Sequence, residues 1–242
     1  MPDFFNLPSN LFIIKLGGSL VIPEADKFNL DYLVELKKVL EKLVNQGKRF
    51  VIIIGGGKIC RWYQGEAKRI QENVENKDLN WIGAYVTRVN AEVINAFMKP
   101  LSHDRAYVDF EQKLELSKPV LVVGAWKPEK STNMDAVLMA QKFGSDVIIN
   151  LSDIDHIYNK DPKKFPDAKP LSIITWNEYE KIIADRIGLI REHKAGDNLP
   201  FDVIATEIAK TSKLKVIFIN GEDLENFEAV LDGKDFVGTT IG

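Results

Sequence analysis

Apolar residues fall in two alternating patterns along the chain. Short unbroken runs, too short to span a membrane, sit between longer stretches in which apolar positions recur every three or four residues. Leu11-Phe12-Ile13-Ile14, Phe50 to Ile54, Val120 to Val123, Asp146 to Leu151 and Lys215 to Ile219 read as buried strands, with a closing strand over Phe236 to Ile241. Between them, Asn29 is placed to cap a helix with an apolar face of Leu30, Leu33, Val34, Leu40, Leu43 and Val44, stopped near Gly47. Further helices are predicted from Lys58 to about Asn73, Asp78 to Met98 ahead of Pro100, and Asp135 to Phe143. Two more follow near 177–184 and 202–211. Asp153 to Pro170, rich in proline and charge, reads as a long surface loop or hairpin. Unbroken apolar strands alternating with amphipathic helices predict an α/β fold, a three-layer αβα sandwich around a mostly parallel sheet. With no repeat and no low-complexity linker, residues 1–242 are read as a single domain.

Composition narrows the function classes. The 242 residues carry 32 Lys and Arg against 35 Asp and Glu, a net charge of −3, and no basic block. That leaves little field for gripping a nucleic-acid backbone. No run approaches the ~18 apolar residues of a membrane span. The opening Met1-Pro2-Asp3-Phe4-Phe5 lacks the pattern of a secretory leader, and a lone Cys60 suits a reducing compartment, so the expected location is the cytoplasm. The histidines, His103, His156 and His193, show no metal-ligand spacing, and no resident metal site is expected.

Chemistry concentrates where strands run into glycine. Lys15-Leu16-Gly17-Gly18-Ser19 follows the first strand and Gly55-Gly56-Gly57-Lys58 follows the second. Glycine lets backbone N–H groups approach an anion, and a helix start favours phosphate. Neither loop has the spacing of a dinucleotide fingerprint or a P-loop. Each alone reads equally as a tight turn. Together, each near a cation (Lys15, Arg61), they suggest a donor and an acceptor held face to face, the geometry phosphoryl transfer requires.

These loops, with Asp155-His156-Ile157-Tyr158-Asn159-Lys160-Asp161-Pro162, resemble the amino-acid-kinase superfamily, and within it the uridylate kinases of archaea and bacteria. Ile82-Gly83 with Thr87-Arg88-Val89-Asn90-Ala91, Ser131-Thr132 before Asp135-Ala136-Val137, Phe201-Asp202 before Ile204-Ala205, and the ending Gly238-Thr239-Thr240-Ile241 extend the resemblance from about residue 11 to 241. The resemblance implies ATP-dependent phosphorylation of UMP, with an acceptor lobe over about 1–145 and an ATP lobe over about 146–242. It implies Lys15, Asp135 and Asp202 as catalytic residues. Gly17, Gly18, Ser19, Ser152, Asp155, Tyr158 and Asp161 would bind ATP; Gly56, Gly57, Arg61, Asn80, Gly83 and Thr132 would bind UMP. Mg²⁺ would arrive on the ATP phosphates, and the assembly would be a homohexamer. Both aspartates read alternatively as helix caps. Asn80 replaces the family's usual aspartate, Asp153 stands where lysine or asparagine is common, and Trp126 either stacks on a base or covers the core. Other readings keep the kinase chemistry with another small phosphate or a carboxylate acceptor, or make the chain a non-catalytic ATP store or sensor.

Overall fold

A computed structural model describes residues 10–162, 164–187 and 199–242. The chain opens with β1 (Leu11–Leu16), a single turn α1 (Gly18–Val21), α2 (Leu30–Asn45) and β2 (Arg49–Ile54). Next come α3 (Gly57–Ile70), α4 (Asn76–Phe97), β3 (Val120–Val123), α5 (Thr132–Phe143) and β4 (Val147–Ser152). The hairpin strands β5 (Ile157–Tyr158) and β6 (Pro170–Leu171) precede β7 (Ile173–Ile174) and α6 (Trp176–Ile187). The remainder is α7 (Val203–Thr211), β8 (Lys215–Asn220), α8 (Leu224–Leu231) and β9 (Thr239–Ile241). The predicted strands recur within a few residues, and the stretch from Asp153 to Pro170 does contain a hairpin.

One sheet runs through the described residues in the order β3-β2-β1-β4-β8-β9-β7. Its first five strands are parallel and β9 lies antiparallel to β8. Because strand side chains alternate in direction, the unbroken apolar runs feed two cores. Phe12, Ile14 and Leu16 point to the side covered by α2, α4 and α8, while Ile13, Val51 and Ile53 point to the side covered by α5, α6 and α7. Burying a leucine such as Leu36 or Leu40, each almost wholly enclosed, contributes about 1.5–3 kcal/mol. The fold is therefore the three-layer sandwich expected.

Two local expectations change. Asn29 does cap α2, accepting from the Tyr32 N–H at 3.4 Å, but the buried face is Tyr32, Leu33, Leu36, Leu40 and Leu43. Leu30 and Val34 are exposed instead. The eight-residue α8 was not foreseen, although Asp223 caps it by accepting from Asn226 N–H and Phe227, Val230 and Leu231 bury one face.

Candidate functional site

From β1 the chain steps to β2 and β3 on one side and then crosses back through α5 to β4 on the other side of β1, so the strand order reverses between β1 and β4. Open α/β sheets bind ligands at such switch points, beyond the carboxyl ends of the strands. A cleft of about 260 Å³ lies there, walled by both glycine loops, the starts of α5 and α7, and faces of α3 and α4.

The two loops touch backbone to backbone. A Cβ on Gly18 would lie 2.1 Å from the Gly57 nitrogen, and one on Gly55 would lie 2.5 Å from the Gly18 nitrogen. Gly57 also has φ +70°, a left-handed conformation that glycine alone adopts freely. Gly17 ties the first loop to β4 by donating to the Leu151 carbonyl at 2.9 Å. The Asn90 amide of α4 donates to the Gly56 carbonyl at 2.9 Å and pins the second loop. Close packing of the loops against each other thus demands the glycines as strictly as any ligand does.

Lys15, paired in β1 between Ile53 and Asn150, is half-buried in the cleft. Burial lowers its pKa from 10.5 to about 8, while Asp153 and then Asp202 act in the opposite direction and favour the cation. Asp202 caps α7: one oxygen accepts from the Ala205 N–H at 3.0 Å and the other accepts from the Ser131 hydroxyl. Ser131 in turn caps α5, accepting from the Met134 N–H at 3.0 Å. Asp202 is therefore both a cap and a cleft carboxylate. Ser131, which links the two helix starts, was quoted in the sequence motif but given no role there.

Gly17, Gly18, Ser19, Ser152, Gly56, Gly57, Arg61, Asn80, Gly83 and Thr132 also line the cleft. Arg61, on the first turns of α3, is exposed; Asn80, on α4, is buried. Gln64, absent from the sequence reading, is buried between α3 and α4 and donates to the Leu79 carbonyl at 3.0 Å. A Cβ on Gly83 would meet the Gln64 Nε2 at 2.9 Å, which explains that glycine by packing.

Four of the expected site residues are not among those lining the cleft. Asp135 is not part of the cleft wall. It is wholly buried inside α5 with neither oxygen in a hydrogen bond of good geometry. Burial pushes its pKa well above the ordinary carboxylate value; the Trp126 backbone N–H, Arg88 and Lys130 offset this in part, and Asp202 adds to it. Asn133 lines the cleft in this turn, its Oδ1 buried and without a partner. Asp135 lies one helical turn on from Thr132, a residue of the cleft wall, so it packs beneath that wall, near enough to Lys130 and Asp202 for their charges to act on it. Asp155, Tyr158 and Asp161 sit in the β4–β5 loop and hairpin rather than on the cleft wall; the Tyr158 hydroxyl donates to Asp155 at 3.1 Å.

Trp126 packs as core cover. It stacks on Phe110 with centroids 5.3 Å apart, Phe110 stacks on Tyr107 at 5.5 Å, and Lys127 caps the tryptophan face at 4.0 Å. Cys60 borders the cleft, with burial raising its thiol pKa. No group of three or more His, Cys, Asp or Glu side chains among the described residues is arranged to hold a metal ion. No described helix is long and apolar enough to cross a membrane.

Fold and cleft together define an α/β protein with facing glycine loops, a central lysine and a free arginine at a topological switch point. The family model "Amino acid kinase family" matches residues 10–220, and the chain belongs to that family. Uridylate kinase from Methanobrevibacter smithii is 31% identical over 233 residues, spanning 95% of this chain and 97% of that protein. Uridylate kinase from Thermoplasma volcanium is 32% identical, spanning 95% and 96% respectively. The crystal structure of uridylate kinase from Archaeoglobus fulgidus superposes with a TM-score of 0.77 at 28% identity, covering 96% of this chain and 100% of that one.

Proposed function

We propose that this protein transfers the γ-phosphoryl group of ATP to UMP, giving UDP and ADP. The observation that carries this reading is the placement of Lys15 and Arg61 in one cleft beside two mutually packed glycine loops. The names and near full-length match of its relatives point the same way.

In this reading an ionised oxygen of the UMP phosphate attacks the γ-phosphorus, and the bond to the β–γ bridging oxygen breaks as ADP leaves. A phosphate-monoester oxygen is already ionised at neutral pH, so no general base is needed. Gly17, Gly18 and Ser19 hold the donor phosphates; Gly56, Gly57 and the Arg61 fork hold the acceptor phosphate. Lys15 supplies positive charge to the group in transit, which is where a fixed cation lowers the barrier most. Asp202 holds the lysine end of the cleft together with Ser131. Asn80 and Gly83 border the nucleoside of the acceptor, and Thr132 its phosphate. The half of the sheet up to residue 145 serves the acceptor and the half from 146 serves ATP. Asp155, Tyr158 and Asp161, on the β4–β5 loop and the hairpin after it, would border the nucleoside of ATP.

The donor set fits Mg²⁺ only alongside a nucleotide. Asp153, Asp202, Ser19 and Ser152 offer hard oxygen atoms in the cleft, but no protein cage of acidic side chains surrounds them. When bound, the cation would neutralise charge between the donor phosphates.

The protein is further read as a cytoplasmic homo-oligomer, a hexamer by family resemblance. Trp81, Tyr85, Val89 and Val93 recur every four residues along α4 and stay exposed, as do Trp62 and Tyr63 of α3. Such a stripe on a soluble helix supports burial against a second copy.

Release of ADP from ATP, measured with UMP, CMP, dUMP, AMP, small carboxylates and small organic phosphates at equal concentration, tests the reading. UMP should support the fastest turnover. Absence of ADP with every nucleoside monophosphate refutes it.

A further inference from the structure

The cleft is short of positive charge for two phosphorylated ligands. Its ionised wall consists of Lys15, Arg61 and Lys130 against Asp153 and Asp202, a net charge of plus one. A metal-free nucleoside triphosphate is tetra-anionic at neutral pH, and the acceptor brings a further dianion. The two carboxylates differ in how they are engaged. Asp202 has both oxygens committed, to the Ala205 N–H and the Ser131 hydroxyl. Asp153 is exposed, caps no described helix, and takes one long hydrogen bond, from the Ser152 hydroxyl at 3.3 Å. It follows β4 directly, where Gly17 is tied to Leu151, so the carboxylate stands beside the donor loop. Electrostatically it acts on Lys15, the main cation available to the donor phosphates. A carboxylate serving neither a helix nor a strand, set against a polyphosphate site, has one physical consequence: it repels the bare polyanion more than the cation-loaded one.

We propose that Asp153 is a specificity-determining residue that makes the donor site select a nucleoside triphosphate carrying a divalent cation over the metal-free triphosphate. The proposal rests on the phosphotransferase reading above. A bound divalent cation removes two of the triphosphate's four negative charges and places positive charge where the Asp153 carboxylate contributes attraction. Without the cation, the same carboxylate cancels much of what Lys15 offers.

Isothermal titration of ATP into the whole protein, with no acceptor present, tests this in two arms: excess Mg²⁺, and EDTA with no divalent metal. Asp153→Asn keeps the shape of an exposed side chain and removes its charge. It should tighten metal-free ATP about tenfold, as expected for one charge removed near a polyanion in a partly screened cleft. Binding in the Mg²⁺ arm should stay within about twofold of wild type or weaken slightly. Asp153→Ser must reproduce, arm by arm, what Asp153→Asn does, which guards against a fault of one variant. Glu72→Gln, an exposed charge removed outside the cleft wall, should change neither arm. Equal shifts in the two arms, or no gain in metal-free binding, overturn the proposal. Wild-type protein that binds ATP in neither arm overturns the phosphotransferase reading itself, and the proposal with it.

Discussion

Replacing Lys15 by methionine should make the protein more stable while disabling it. Burial lowers the Lys15 pKa from 10.5 to about 8, so the folded state binds that proton less tightly than the unfolded chain does. At about 1.4 kcal/mol per pKa unit, holding a protonated lysine there costs up to about 3 kcal/mol, a ceiling because water in the cleft screens part of the charge. The sign follows from linkage. Below pH 8 both states are protonated and the full cost stands. Between pH 8 and 10.5 the unfolded chain retains a proton that the folded protein has lost, so wild-type stability rises with pH. Methionine fills nearly the same volume without charge. Urea unfolding of the two proteins should therefore show the variant ahead by up to about 3 kcal/mol at pH 7, the gap shrinking below about 1 kcal/mol by pH 10. Turnover should fall at least about a hundredfold, as for other lost transition-state donors. A variant no more stable than wild type at pH 7, or a gap that does not change with pH, would refute the reasoning.

The same titration should appear in kinetics: kcat/KM for the donor should decline above pH about 8, and Asp153→Asn, by removing a charge that favours the cation, should move that decline to lower pH. Arg61→Ala should raise KM for UMP by about tenfold or more with a smaller change in kcat, because it removes a fork to the acceptor phosphate; an unchanged KM in steady-state assays argues against that role. Gly18→Ala places a methyl 2.1 Å from the Gly57 nitrogen and should cost about 3 kcal/mol or more, read as a fall in Tm and loss of turnover. Tyr85→Glu on the exposed α4 stripe should lower the mass measured by sedimentation if that stripe meets a second copy, and an unchanged mass rules out that interface.

The strands were legible because each is an unbroken apolar run stopped by glycine, proline or charge, and the placement of Lys15 and the glycine loops at strand ends followed from that alone. What periodicity conceals is rotation about a helix axis. Leu30 and Val34 share the spacing of the α2 core residues yet face solvent. Depth is hidden as well: Asp135 stands one helical turn on from Thr132 of the cleft wall, and spacing alone does not show that its carboxylate is wholly buried there. The role of Ser131 was equally hidden, since its partner Asp202 lies seventy-one residues away and only the fold brings the two helix starts together. Short α8 escaped because eight residues give barely two turns of periodicity and its surroundings are acidic, although the Asp223 cap was readable. The glycines were read as phosphate cradles; what the sequence could not convey is that each loop is the other's nearest neighbour.

That contact has a mechanical meaning. Where Gly18 meets Gly55 and Gly57 there is no side chain to compress, swing aside or exchange for a smaller one. If the loops hold the donor and acceptor phosphates as proposed, the separation between the two is gauged by the van der Waals thickness of two main chains. Substitutions elsewhere in the protein can change which molecules enter the cleft, but they have no lever on that distance. On that reading the two loops form one unit, and a displacement at the acceptor end is felt at the donor end.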